Sequence, residues 1–209
     1  ELKQLLDIII HSLYSKREIF LRELVSNACD AVDKVRFESL TDGDLLEGDD
    51  DWKIKVTADN EAATLTVSDN GIGMSRDEIM ESLGTIARSG TQAFMAQLED
   101  AEAKDRPELI GQFGVGFYAS LMVADRVEVV SRRAGAGSEA VRWETEGQGT
   151  FTVEAAERAG RGTDVILHMR TESEEDDFMR EWTLRDLVRK YSDYVRHPIR
   201  IRTEKGETE

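Results

Sequence analysis

The stretch from residue 16 to residue 37 limits the fold more than any other part of the chain. Leu21, Leu24, Val25, Ala28, Ala31, Val32 and Val35 recur at helical spacing and predict one long α-helix. Against them stand Glu23, Asn27, Asp30 and Lys34, which at about 100° per residue fall within an arc of roughly 60°. A surface helix has a broad polar face, whereas this one has a narrow polar line between apolar flanks. Most of its circumference must therefore be covered by other elements. Two readings of the line stand at this point. It can be a thin solvent-facing stripe with an Asp30–Lys34 ion pair. It can also face a pocket, where an acid orients water and an amide oxygen completes the shell of a hard cation such as Mg²⁺.

The rest of the pattern says what could cover the helix. Leu2, Leu5, Leu6, Ile9 and Leu13 predict an earlier amphipathic helix. Trp52, Ile54 and Val56, then Leu65 and Val67, alternate with polar residues and predict two strands joined by a hairpin at 59–61. Ser75-Arg76-Asp77-Glu78 fits a capping box, with Ile79 and Leu83 as the apolar face of the helix it starts. Short β-rich runs at 127–131, 140–144, 150–153 and 163–168, separated by glycine turns, predict an antiparallel meander. Leu184, Leu187, Val188, Tyr191 and Val195 predict a last helix, stopped by Pro198, before a strand at 199–201. Helices do not alternate with each strand, so the expected class is α+β: a two-layer sandwich, a mixed and mostly antiparallel sheet with helices on one face.

Composition narrows the function. The formal charge is −16, from 43 acidic and 27 basic side chains, a field that repels nucleic acid. Arg126, Arg132, Arg133 and Arg142 fall in one region and read as scattered surface arginines. Cys29 is the only cysteine, which excludes an internal disulfide, favours a reducing compartment such as the cytoplasm, and reads as a small core residue. His11, His168 and His197 make no metal-ligand spacing. The chain starts at Glu1 without an initiator methionine and ends in the polar run 204–209, so both ends are expected to be cuts in a longer protein.

Three glycine turns carry possible chemistry. In Ser68-Asp69-Asn70-Gly71-Ile72-Gly73-Met74 an aspartate at a strand end can accept a hydrogen bond from an exocyclic amine, and glycine lets backbone approach a flat ring. Alone, Asp-Asn-Gly is more often a plain turn. Gly111-Gln112-Phe113-Gly114-Val115-Gly116-Phe117 precedes a helical stretch at 118–123, and free N–H groups at a helix start bind phosphate. The chain contains no G-x-x-x-x-G-K-[ST] run, so it lacks a P-loop. The segment 84–116 is too long for an ordinary loop and reads as a lid or as a surface insertion, with a short helix expected at 92–98. Thr163, in Arg161-Gly162-Thr163-Asp164, opens a strand.

Taken in order, these segments resemble the ATPase superfamily shared by type II topoisomerases, mismatch-repair proteins, histidine kinases and the ninety-kilodalton heat-shock chaperones. Ile19 to Ala28, Leu83 to Thr91 and Ile110 to Tyr118 resemble the chaperone branch, and the modest acidic loop resembles its bacterial members. The resemblance spans the whole chain as one N-terminal ATP-binding domain. It implies that ATP or ADP binds with Mg²⁺. It implies further that Glu23 is the general base or water-orienting carboxylate and that Asn27 is the Mg²⁺ ligand. Asp69 would take the adenine amino group, with Thr163 assisting through water. Gly73 and Met74 would line the base pocket, Ala31 and Leu83 would be further nucleotide-binding residues, and Asp30 and Lys34 would lie near ribose and phosphates. Gly114, Val115, Gly116 and Phe117 would offer backbone N–H groups to the terminal phosphates. Unfolded client proteins and a homodimer of the full-length chain are the implied partners, without nucleic acid or membrane.

Two positions depart from the family. Arg88 stands where lysine is usual near the nucleotide, and Ser82 where asparagine is common. The family's catalytic arginine comes from a middle domain, so hydrolysis by this chain is expected to be slow. The rivals are a DNA-acting ATPase domain of the same superfamily and a nucleotide sensor of the histidine-kinase kind. The acidic charge opposes the first, and Glu23 opposes the second.

Overall fold

The computed structural model describes residues 17–84, 116–148, 150–170, 178–191, 195–203 and 206–208. The helix expected from 16 to 37 is α1, Ile19–Glu38, and most of its apolar side chains from Ile19 to Val35 are buried, with Cys29 and Ala31 half-buried. Two strands follow, β1 (Ile54–Asp59) and β2 (Thr64–Asp69). The capping box forms as read: Glu78 N–H donates to the Ser75 hydroxyl, and Ser75 N–H donates to the Glu78 carboxylate. It starts the single turn α2 (Arg76–Ile79), which widens into a π-turn over Met80–Gly84. The helical stretch read at 118–123 is a 3₁₀-helix, Gly116–Met122, beginning at the glycine itself. Then come β3 (Ala124–Arg132), β4 (Ala140–Thr145), β5 (Phe151–Ala156) and β6 (Gly162–Met169). Helix α3 (Glu181–Tyr191), β7 (Ile199–Thr203) and β8 (Gly206–Thr208) complete the described chain. The helices read at 2–13 and 92–98, and the body of the 84–116 segment, lie outside the described residues.

The strands form one sheet in the order β5-β4-β3-β6-β2-β1-β7-β8, antiparallel throughout except for the parallel β1–β7 pair. The α+β reading holds. One expectation needs correction. β3, β4 and β5 make consecutive hairpins, but β6 does not continue the meander; it crosses back to lie between β3 and β2. Its Val165 and Leu167 face apolar neighbours on both sides, while β5 carries exposed Thr152, Glu154 and Ala155 and suits an edge. The polar tail at 204–209, for which no strand was expected, adds β8 to β7, and its polar composition stands, because backbone pairing at an edge asks for no apolar side chains.

Helix α1 packs on β1, β2, β6 and the 3₁₀-helix, and α3 packs on α1 and β7. Phe20, Leu21, Leu24, Ile54, Val56, Leu65, Tyr118, Trp143 and Leu167 belong to the shared core. Register places Val129, Val165, Val67 and Val56 side by side on the sheet, and two residues along comes the row Ser131, Thr163, Asp69 and Ile54. An apolar floor therefore ends in three adjacent polar side chains. That row positions the site.

Candidate nucleotide-binding site

Between α1, the sheet and the 76–84 turn lies a cavity of about 270 Å³. Its wall includes Leu24, Asn27, Ala28 and Ala31 from α1, and Val67, Val129, Val165, Thr163 and Asp69 from the sheet. Ile72, Gly73, Met74, Ser82, Leu83 and Phe117 close it. Apolar lining with a few polar groups at one end is the usual form of a site for a flat organic ligand.

The polar end is tightly built. Asp69 Oδ1 accepts from Gly71 N–H at 2.8 Å. Burial pushes its carboxyl up to about 7, despite the opposing pull of that N–H and of Arg158. A carboxylate balanced between its two forms near neutrality is a group set for interaction rather than for packing. The Arg158 guanidinium donates to the Asp69 carbonyl at 2.8 Å, to Asp164 at 3.0 and 3.1 Å, and to the Gly160 carbonyl at 2.7 Å, clamping the end of β2. Gly73 has φ +65°, and a Cβ there would overlap the Arg132 carbonyl. Only glycine can make this turn. On the helix side, Ile72 N–H donates to the Ala31 carbonyl at 2.9 Å, tying the turn to α1.

The line on α1 does not face one place. Asn27 reaches the cavity rim, while Glu23 and Asp30 line a second cavity of about 310 Å³ toward α3, with Arg22, Asp33, Tyr191 and His197. Glu23 is buried, and Arg22 donates to its carboxylate at 2.7 and 3.0 Å. It lies against Gly116, where any Cβ would overlap the carboxylate. Asp30 and Lys34 are exposed and form no ion pair with each other; burial and the nearby Asp33 push the Asp30 carboxyl up. The Cys29 thiol is pushed up to about 11 by burial and by Asp30, Asp33 and Asp69, which suits a core residue rather than a nucleophile.

The chain matches the profile of the histidine kinase-, DNA gyrase B-, and HSP90-like ATPases over residues 14–158. It belongs to that ATPase family. Like the family, it is an ATP-binding fold. It is 58% identical to the chaperone protein HtpG of Bordetella pertussis, over 100% of this chain and 33% of that protein. To the HtpG of Geobacter sulfurreducens it is 56% identical, over 95% of this chain and 30% of that protein. To that of Vibrio campbellii it is 55% identical, over 100% and 33%. The chain thus spans about a third of the length of the curated relatives it matches.

Of the ATPase residues named from sequence, Asn27, Ala31, Asp69, Gly73, Met74, Leu83, Phe117 and Thr163 line one cavity. Glu23 and Gly116 meet beside it, and Asp30 and Lys34 are not in its wall. Arg88, Gly114 and Val115 lie outside the described residues. Ser82, set aside from sequence as a departure, lines the cavity. Sequence reasoning missed Arg158, which sits in a turn, and Ser131, a strand serine without local signal. The four arginines weighed as a basic patch are all ion-paired: Arg126 with Glu128 and Glu144, Arg132 with Glu47, Arg133 with Glu38 and Glu78, and Arg142 with Glu128 and Glu144.

Proposed function

We propose that this chain is the N-terminal ATPase domain of a longer chaperone of the ninety-kilodalton heat-shock type, comprising residues 1–209 with 84–116 as its lid. One observation carries the reading: the strand-end acid Asp69 and the helix amide Asn27 open onto the same apolar cavity. Adenine enters that cavity, and its amino group donates to Asp69. The phosphates run toward Asn27 and the start of the 3₁₀-helix, where Gly114 to Phe117 supply N–H groups.

Among the described residues no cluster of His, Cys, Asp and Glu could hold a metal by itself. Mg²⁺ fits nonetheless, because it commonly takes one or two protein oxygens beside phosphate oxygens and water, and the Asn27 side chain offers such an oxygen. When bound, the ion would neutralise phosphate charge. Glu23 orients the attacking water and accepts its proton after leaving Arg22. Full-length partners on this reading are unfolded client proteins and a second copy of the chain, in the cytoplasm.

Titration calorimetry with ATP-Mg tests the assignment. Asp69→Asn should weaken binding by about 2–3 kcal/mol and Glu23→Ala should preserve it. Unaltered affinity in both variants would remove Asp69 from the site. Stimulation of turnover by DNA would favour the DNA-acting rival.

A further inference from the structure

Ser131 does not line the cavity and is fully buried, yet two residues of the cavity wall, Met74 and Thr163, and the neighbouring Gly162 converge on its hydroxyl. Met74 N–H donates to Ser131 Oγ at 2.8 Å. The Gly162 carbonyl lies 3.2 Å from the same oxygen and can only accept. Thr163 Oγ1 lies 2.8 Å away, and on distance alone either hydroxyl could donate.

A serine hydroxyl has one proton and two lone pairs. All three contacts form together in one arrangement only. Ser131 donates to Gly162 and accepts from both Met74 and Thr163. The Thr163 proton is then committed to the wall, and Thr163 Oγ1 turns only lone pairs toward the cavity. Its neighbour across the β2–β6 ladder is Asp69, whose ionised carboxylate also only accepts. The polar end thus presents acceptors side by side. An exocyclic amino group brings two donors to such an edge; an oxo group brings none.

We propose that Ser131 is a specificity-determining positioning residue. By fixing the Thr163 hydroxyl as an acceptor beside Asp69, it makes the cavity select a purine with an amino group rather than an oxo group at position 6. This rests on the cavity being the base pocket. Removing the Ser131 hydroxyl releases the Thr163 proton, which can then donate to an oxo group.

The test is calorimetry with ADP and inosine diphosphate, which differ at that position and in the proton inosine carries on the adjacent N1, on the parent chain and on Ser131→Ala. The parent should prefer ADP, and Ser131→Ala should narrow the ADP-to-IDP preference about tenfold, the scale of one hydrogen bond reversed. A merely structural role would weaken both nucleotides by the same factor and leave the ratio unchanged, and that result overturns the proposal. In a Thr163→Val background, Ser131→Ala should no longer move the ratio; an equal shift there also overturns it. If Ser131→Ala does not fold, Thr163→Ser should keep the parent ratio and Thr163→Val should lose it. Equal ratios in those two variants refute the idea. Should the parent bind neither nucleotide, the base-pocket reading falls and the proposal with it.

Discussion

The two ends of the cavity are built differently. At the Asp69 end, every polar group sits on a strand or a strand-tied turn, and each is held by named partners: Gly71 and Arg158 on Asp69, Ser131 on Thr163 and Met74. At the Asn27 end, the groups stand on one helix. Asn27 is exposed, and Glu23 is turned into an ion pair with Arg22. A ligand meets a finished surface at the first end. At the second, on the proposed reading, Glu23 would have to exchange Arg22 for the attacking water. Recognition and turnover should therefore separate cleanly under mutation.

The largest effect expected from that contrast is on turnover. Glu23→Ala should lower phosphate release about a hundredfold or more, the scale of a lost general base. ADP affinity by calorimetry should stay within about twofold. A parallel loss of both would erase the distinction between the ends. Next in size, Asp69→Asn should weaken ADP binding by about 2–3 kcal/mol, the range for a charged hydrogen bond lost in a buried place. The fold should persist by circular dichroism.

Acidity sharpens the contrast further. On the proposed reading the amino group needs ionised Asp69, whose carboxyl is pushed up to about 7 by burial. ADP affinity should thus rise as pH goes from 6 to 8, by up to about tenfold per unit on the acid side, and Asp69→Asn should flatten the profile. Stability of the free protein runs the other way. The folded value lies above the ordinary 3.8, so Asp69 contributes stability that is fully present below about pH 4 and is lost as pH rises through about 7. Urea melts across that range give the sign. The smallest effect is local. Ser75→Ala should cost about 1 kcal/mol of stability through the lost cap, read as a lower melting temperature.

What was legible in the sequence follows from the range of each signal. The capping box, the β1–β2 hairpin and α1 depend on residues a few positions apart, and all three form. The place of β6 does not. Its partners are 30 to 45 residues away in β3 and 94 to 104 away in β2, and only complementary burial chooses them over the adjacent β5. β8 escaped because its pairing runs through backbone groups that any sequence carries. Ser131 and Arg158 escaped because a lone serine in a strand and an arginine in a turn look alike whether they do nothing or hold a site together.

The narrow polar line on α1 and the glycine at residue 73 were settled by the chain alone, through helical periodicity and a backbone turn that no side chain tolerates. Which residues of that line share a cavity was settled only by packing. Asn27 and Ala31 turn toward Asp69, while Glu23 and Asp30 turn toward α3. A helix presents all its faces at once, and the neighbours decide what each one meets.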